Sequence, residues 1–299
     1  MNSKSNIQHS TSATQSRIHL VTYATGIFLL RQWFLGKSAL ANKVVDTVTN
    51  WTPAKLTAAG FGKRAPEISL RSRGSGYWAW KPFIIEHQLA KVNDGDIVLY
   101  CDVGRRNDFK LLDRSLAPFI AWMDEHKQDV MPGVMIPWMG PMSAWTKRDA
   151  FVFTNMDTPE AHATTPIQAS FSLWRASAES RALATRWMDL CAQARLINDD
   201  KSASGLPELP GVIDHRHDQS LLTLCCLSLG VKALDLGKTK PPVDTQYPSK
   251  IAEWLFNTAP CEQTNLGKFI KAAVWLPQMI ELNLRRIVSI GHQGPPMPK

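Results

Sequence analysis

The sequence predicts an α/β fold in one large domain, with a mostly parallel central sheet flanked by helices. The chain opens as strand, helix and strand: residues 19–24 are rich in β-formers, 29–40 have helical apolar spacing, and 44–48 are β-branched. The run from Asp96 to Cys101 (DIVLYC) is almost continuously apolar, which is typical of a strand buried on both faces of a sheet. Strands that alternate with helices along the chain are what an α/β sheet requires.

The remaining elements follow in order. Thr52 and Pro53 suit the cap and the first position of a helix, and residues 62–76 are basic and contain glycine, which indicates a loop. Further helices are predicted over 83–89, 111–123, 178–194 and 218–229, shorter strands over 134–136, 169–174 and 232–236, a turn at 93–95 and a polar loop at 199–211. No repeat or linker interrupts the chain, so we expect one domain over 17–240, between a disordered lead-in over 1–16 and a helical extension over 241–299.

Composition narrows the class of protein. The chain has 299 residues, of which 44% are apolar and 20% charged, as in an ordinary globular protein with a sizeable core. Its 34 Lys and Arg against 26 Asp and Glu give a net charge of +8. Nucleic acid, an anionic membrane or a phosphate-bearing substrate could explain this balance, and so could solubility alone. Because the basic residues form no dense tract or nucleic-acid-binding motif, we expect no nucleic-acid partner.

Cysteines and termini indicate the compartment. The five cysteines lack CxxC spacing, which favours reduced, buried thiols over disulfides or a zinc site. Residues 1–16 lack the apolar core of a signal peptide, and no run reaches the roughly 18 apolar residues of a spanning helix. We therefore expect a cytoplasmic protein. Residues 269–290 mix a broad apolar face with basic residues, so they are expected either to pack on the domain or to attach it peripherally to the inner face of a membrane.

The first candidate for chemistry is Asp102, which ends the predicted buried strand and is followed by Val103 and Gly104. Ligands of open α/β sheets bind beyond the carboxyl ends of the strands, and a glycine lets them approach the backbone. A carboxylate there can hold Mg²⁺ or Mn²⁺ against a nucleotide diphosphate. The alternative is that Asp102 only caps a turn.

The second candidate is the aromatic segment from Arg73 to Pro82. Its tryptophans, Trp78 and Trp80, could stack on a base or a sugar, while Arg73 and Lys81 contact phosphate. The alternative is that the tryptophans belong to the core and that Lys81 only begins a helix.

The third candidate is the segment Asp214 to Gln219 (DHRHDQ), in which five of the six residues are ionisable and lead abruptly into an apolar helix. Acids at a helix N-terminus can serve only to cap it and to complement its dipole. That alternative accounts for neither Arg216 nor the histidines His215 and His217, which suit acid–base chemistry, metal ligation or phosphate recognition. A zinc hydrolase is a minor alternative, because no second histidine pair occurs at ligand spacing.

Three motifs, taken in order, resemble a group of bacterial glycosyltransferases that are associated with capsule, O-antigen and related surface polysaccharides. The motifs are RGSGYWAWKP at 73–82, GDIVLYCDVG at 95–104 and HRHDQS at 215–220. The resemblance spans residues 18–236. It implies the nucleotide-diphospho-sugar transferase (GT-A) fold, in a single Rossmann-like catalytic domain. It also implies that a sugar moves from a nucleotide-sugar donor to a glycan or lipid-linked acceptor.

The resemblance implies roles for individual residues. Asp102 would be the first acid of the family's Asp-x-Asp metal and diphosphate motif, although here the motif is Asp-Val-Gly, with one carboxylate where two are usual. Asp218 and Gln219 are similar to an Asp-Gln pair that lines the site of several sugar transferases, and Asp218 or His215 would be the catalytic base. The implied cofactor is Mn²⁺ or Mg²⁺ at Asp102, and the implied donor-binding residues are Arg73, Trp78, Lys81, Asp102, Gly104, Arg216 and Gln219.

Two other functions stay open. The single carboxylate also suits a non-catalytic glycan- or membrane-binding protein on a degenerate transferase fold. A metal-dependent phosphohydrolase could use His215, His217, Asp218 and Asp102.

Overall fold

The structure is a computed structural model that describes residues 16–103 and 112–237. The strands are β1 (Ile18–Tyr23), β2 (Thr47–Trp51), β3 (Ile97–Cys101), β4 (Val130–Met131), β5 (Val134–Met135), β6 (Ile167–Gln168) and β7 (Phe171–Arg175). The helices are α1 (Phe28–Ala41), α2 (Pro53–Ala58), α3 (Phe61–Arg64), α4 (Arg73–Tyr77), α5 (Trp80–Leu89), α6 (Ala117–Glu125), α7 (Arg148–Val152), α8 (Pro159–Ala163), α9 (Ala178–Cys191), α10 (Ala194–Ile197) and α11 (Asp218–Leu229). Gly104, nearly all of the predicted lead-in and the whole extension over 241–299, with its segment 269–290, lie outside the described residues.

Five strands form the central sheet in the order β2, β1, β3, β7, β4, and β5 pairs with β6 in a separate ribbon. Strand β1 is parallel to β2 and to β3, whereas β7 is antiparallel to both of its neighbours. The α/β class is therefore confirmed, but the sheet is mixed, and the prediction of a mostly parallel sheet is confirmed only in part. Strand direction depends on how the connecting segments cross the sheet, and the residues of a strand do not encode it.

Both faces of the sheet are buried under helices. Successive side chains of a strand point to opposite faces, so each central strand contributes to two cores. Leu20 and Leu99 belong to the core under α1 and α6, whereas Val21 and Tyr100 belong to the core shared with α5, α9 and α11. All five residues of β3 are buried, as the apolar run predicts. The described chain is thus three-layered, with the sheet in the middle.

Several predicted elements are confirmed. The hydroxyl of Thr52 accepts a hydrogen bond from the backbone N–H of Lys55, and Pro53 opens α2. The predicted helix 218–229 coincides with α11, and the predicted helix 178–194 ends early, at Cys191. Within the described ranges, no helix has the length and hydropathy needed to cross a bilayer.

Other predicted elements were wrong in position or type. Strand β2 begins at Thr47 rather than in the β-branched run, because Val44 and Val45 donate back to the carbonyl of Ala39 and close α1. Residues 232–236 form no strand, since only Leu234 makes an isolated bridge. The predicted loop over 62–76 contains most of α3 and most of α4. Short helical turns of this kind carry too few residues for a periodic pattern.

The segment that contains α4 has an unusual backbone. Its φ angles are positive at five successive residues: Gly74 (61°), Ser75 (56°), Gly76 (93°), Tyr77 (53°) and Trp78 (61°). Left-handed backbone costs about 1–2 kcal/mol at each residue that has a Cβ. A Cβ on Gly74 would lie only 2.5 Å from the ring of Trp78, and one on Gly76 only 2.9 Å from Ile68. Both glycines are therefore needed for conformation and for space.

We expect the Gly74→Ala substitution to lower the free energy of unfolding by about 2 kcal/mol, because the added Cβ is strained and displaces the ring of Trp78. The control is Gly62→Ala, where a Cβ would meet no atom within 4 Å, and we expect a change within about 0.5 kcal/mol. Urea unfolding measures both values. Equal stability of the two variants would show that the left-handed turn is not constrained as described.

Candidate functional site

The candidate site lies at the carboxyl edge of the parallel strands. Because β1 and β3 are parallel neighbours, their ends at Tyr23 and Cys101 meet at one edge, and Asp102 follows directly. The backbone N–H of Asp102 donates to the carbonyl of Ser170 at 2.9 Å, which holds the segment beside the start of β7. The side chain of Asp102 is half-buried. The structure therefore places Asp102 where ligands of α/β sheets bind.

A buried ion pair lies beside this edge. The ammonium Nζ of Lys81, on α5, is 2.8 Å from Oδ2 of Asp218, the first residue of α11. The two side chains are only 6% and 5% exposed. The predicted alternative, that Lys81 merely begins a helix, does not account for this burial, because an unpaired lysine would stay in water. Asp102 of the second motif and Asp218 of the third thus both act on Lys81 of the first motif.

The charges of the pair act on each other. Burial raises the pKa of Asp218 to about 6, although the ammonium of Lys81 opposes this shift. Burial acts to lower the pKa of Lys81, but the charges of Asp218 and Asp102 outweigh it, so that the net shift is upward. At pH 7 both members of the pair are therefore charged.

Tyr100 connects Asp102 to the pair. Its hydroxyl donates a hydrogen bond to Oδ1 of Asp102, and Nζ of Lys81 lies 5.4 Å from the centre of its ring. Burial, reinforced by the charge of Asp102, raises the pKa of the Tyr100 hydroxyl well above its usual value. Tyr100 is thus a neutral donor at any physiological pH. Lys81, Asp218, Asp102 and Tyr100 form one electrostatic unit, which we call the charge cluster.

The two tryptophans of the first motif have different roles. Trp80 is buried, stacks on Tyr23 with 4.1 Å between ring centroids, and donates from Nε1 to the carbonyl of Gly74 at 3.0 Å. Trp78 is half-buried and stacks on the ring of His217 at 5.4 Å. The core alternative therefore holds for Trp80, whereas Trp78 keeps accessible ring surface. The left-handed turn directs the side chain of Trp80 into the core and leaves that of Trp78 near the surface.

His215 and His217 are both held by the end of α10. His217 donates from Nδ1 to the carbonyl of Ile197 at 2.6 Å, and its backbone is strained, with φ 49° and ψ −119°. His215 donates from Nε2 to the carbonyl of Leu196 at 2.9 Å and accepts at Nδ1 from the backbone N–H of Lys147 at 3.2 Å. Burial lowers the pKa of His215 to about 3. Both nitrogens of His215 are engaged, so the geometry favours a positioning role for this residue rather than that of a base.

Arg73 lies at the exposed rim of the cluster. Its guanidinium bonds the carboxylate of Asp214 at 3.1 Å and that of Asp199 at 3.4 Å, and its Cζ lies 6.0 Å from the ring centre of Trp78. Asp199 in turn is 3.5 Å from Nε2 of His217. This network ties the first motif to the third through the carboxylates of Asp214 and Asp199. The sequence contained no pattern that singled out Asp199, because it lies in an irregular loop.

Arg216 and Gln219 are both half-buried. The guanidinium of Arg216 stacks over the ring of Trp145 at 4.7 Å, and its described hydrogen bonding is limited to the sulfur of Met139. The side chain of Gln219 has no hydrogen-bond partner within the described part of the chain. Both side chains therefore keep donors that a ligand could use.

The prediction of Mn²⁺ or Mg²⁺ at Asp102 is not matched by a ligand set in the described ranges. No group of three His, Cys, Asp or Glu side chains that could hold a metal occurs there. One oxygen of Asp102 is already engaged by Tyr100, and the Lys81 ammonium acts on the same carboxylate. The described residues thus supply a fixed cation rather than a metal cage.

Sequence reasoning overlooked Tyr100, although a signal for it existed. Tyr100 precedes Asp102 by two positions at the end of one strand, so period-two geometry predicts that the two side chains lie on the same face. A groove of 440 Å³ lies elsewhere, between Trp122, Met135 and Cys226, and includes none of the predicted site residues. We therefore take the charge cluster and its aromatic rim as the candidate site.

We expect the loop that carries Asp199 to depend on the buried Asp149. Its carboxylate accepts from the Ser202 hydroxyl at 2.6 Å and from the N–H groups of Ala203 and Ser204 at 2.7 and 3.0 Å. Burial alone would raise the pKa of Asp149, but these bonds lower it to about 2. The stability that the Asp149 carboxylate contributes is therefore present above the pKa of an unfolded aspartate, near 4, and is lost as pH falls toward 2.

Accordingly, Asp149→Asn should lower the melting temperature at pH 7, and the gap to the wild type should shrink as the pH falls toward 3. Calorimetry across that range measures the gap. Asp94→Asn is the control, because its side chain is 80% exposed, and it should melt with the wild type at every pH. A gap for Asp149→Asn that stays constant with pH would contradict the assignment.

No model of a known protein family and no curated protein matches the chain. The resemblance to sugar transferases therefore depends on the three motifs alone, and the function has to be argued from the geometry of the residues that they bring together.

Proposed function

We propose that the protein is a glycosyltransferase that moves a sugar from a nucleotide-diphosphate donor to a glycan or lipid-linked acceptor of a surface polysaccharide. The proposal includes a single Rossmann-like GT-A domain over residues 17–240. The observation that supports it most is the buried Lys81 ammonium, which is held by Asp218 and interacts electrostatically with Asp102 at the carboxyl edge of the sheet. A leaving nucleoside diphosphate develops negative charge, and a fixed cation in a site of low dielectric stabilises that charge.

The rim of the site suits the rest of the donor. Trp78 keeps ring surface on which a base or a sugar can stack, and the exposed guanidinium of Arg73 lies beside it. Arg216 and Gln219 have unused donors for phosphate or sugar hydroxyls. Asp102, and Gly104 beyond the described residues, complete the donor-binding set of the proposal.

Asp218 is the better of the two predicted bases. A general base works best when its pKa lies near the operating pH, and burial raises that of Asp218 to about 6. His215 has no free ring nitrogen, and its pKa is lowered to about 3. We therefore propose Asp218 as the group that accepts the proton of the acceptor hydroxyl, with His215 positioning the segment before it.

Mn²⁺ or Mg²⁺ at Asp102 stays a prediction. When bound, such an ion would add positive charge beside the diphosphate. The Lys81 ammonium provides charge compensation of this kind from the described residues themselves.

A second candidate function is supported by the burial of the same pair. Lys81 and Asp218 are nearly closed to solvent, which also suits a non-catalytic glycan- or membrane-binding protein on a degenerate transferase fold. The phosphohydrolase is less well supported, because His215 is committed to backbone groups through both ring nitrogens.

Asp102→Asn and Asp218→Asn should each lower the rate of sugar transfer at least about 100-fold, because each removes a charge from the cluster without changing the shape of the residue. The assay follows nucleotide release from a panel of UDP-, GDP- and CMP-sugars, with and without Mn²⁺. Asp94→Asn is the matched control and should keep the wild-type rate, since its carboxylate is 80% exposed.

Cooperative melting of both variants is the check on folding. A near-normal rate in either variant removes that residue from the site. A wild-type protein that is stabilised by a donor but turns over none, with or without Mn²⁺, would favour the binding protein instead.

A further inference from the structure

Helix α1 presents its large apolar side chains to solvent. Leu29, Leu30, Trp33 and Leu40 are 44%, 47%, 49% and 42% exposed. Single exposed apolar residues are common on protein surfaces, but a contiguous apolar patch marks an interaction surface. At 100° per residue these four side chains lie within one arc of the helix, together with that of Lys37. We call this arc the outer face of α1.

Packing fixes the direction of the outer face. At the border of the outer face, a Cβ on Gly36 would lie 2.9 Å from Cγ1 of Val48, so α1 is seated closely on β2. The buried amide of Gln32 donates to the carbonyls of Thr22 and Trp51 at 3.0 and 2.9 Å, and so satisfies the ends of β1 and β2. Rotating α1 to bury its outer face would break these contacts. The exposure is therefore built into the fold.

The sequence around α1 carries only positive charges, of which the side chains of Arg17, Lys37 and Lys43 are exposed and that of Arg31 is buried. The first 45 residues contain five basic residues, at positions 4, 17, 31, 37 and 43, and no Asp or Glu, and the first acid is Asp46. This part of the chain thus carries +5 of the net +8. On the outer face, Nζ of Lys37 lies 5.8 Å from the ring centre of Trp33. Trp beside Lys on an apolar face is the composition of helices that lie in a bilayer interface, where the amine extends to the headgroups.

We propose that the outer face of α1 docks on an anionic lipid bilayer. Each basic residue near such a surface contributes about 1 kcal/mol of attraction, and the apolar side chains add their burial. A second copy is a poorer occupant, because it would bring the same acid-free, basic surface against this one. Residues 269–290 are a poorer occupant as well, since Lys271, Arg285 and Arg286 outnumber their one acid, Glu281.

The location of α1 separates this contact from the charge cluster. Helix α1 begins five residues after the end of β1, whose end lies at the same sheet edge as the end of β3 and Asp102. However, α1 covers the face of the sheet opposite to α5 and α11, so a bilayer on the outer face would lie across the sheet from Lys81 and Asp218. The docking therefore does not depend on the proposed function.

The test is cosedimentation of the full chain with vesicles of phosphatidylcholine alone and of phosphatidylcholine mixed with phosphatidylglycerol, without any donor. We expect the wild type to bind the anionic vesicles, and the double variant Leu30→Gln with Trp33→Gln to bind at least about tenfold more weakly. The matched control replaces two exposed leucines elsewhere, Leu206→Gln with Leu229→Gln, and should bind like the wild type.

Several outcomes would overturn the proposal. These are a wild type that stays in the supernatant with anionic vesicles, or a Leu30/Trp33 variant that binds as tightly as the control. A dimer in analytical ultracentrifugation that the Leu30/Trp33 variant converts to monomer would assign the outer face to a second copy. A lower melting temperature of that variant, without vesicle binding by the wild type, would assign it to another part of the chain. Because no donor is present, a failure of sugar transfer leaves this result unaffected.

Discussion

The buried ion pair between Lys81 and Asp218 is the interaction on which the site depends. It joins the start of α5 to the start of α11, two helices that both pack on α9. Removing both charges from water costs several kcal/mol per ion, which only close approach and further polar contacts can offset. Asp102 acts on the same ammonium, and Tyr100 holds Asp102. The pair therefore fixes three distant motifs in one place, and loss of one member would leave an uncompensated charge in the core.

Backbone strain is concentrated next to this pair. The left-handed turn over 74–78 and the strained His217 meet where the ring of Trp78 stacks on the imidazole. Strain of this kind persists only where surrounding contacts hold it, here the bond from Trp80 to the carbonyl of Gly74 and the bond from His217 to Ile197. Its consequence is that Trp80 enters the core while Trp78 stays at the rim. The strained turn thus gives Trp78 and Trp80 different surroundings.

Sequence patterns predicted the parts of this arrangement that depend on local rules. The apolar run before Asp102 predicted a buried strand, and the convergence of the three motifs is consistent with one edge of the sheet. The direction of β7 was not predictable, because long connections decide it. Periodicity placed α1 correctly, but a period does not say which face is buried, and here Gln32 faces inward while Leu30 and Trp33 face outward. Asp199 escaped prediction because its role depends on a loop held by Asp149.

The most direct test of the account is a double-mutant cycle on the pair, with the free energy of unfolding measured in urea at pH 7. We expect Lys81→Met and Asp218→Leu each to cost about 3–5 kcal/mol, because each leaves the other member of the pair buried without its nearest counter-charge. The double variant should cost clearly less than the sum of the two, since it removes both charges and keeps similar volumes. Additive losses would contradict the claim that this ion pair organises the site.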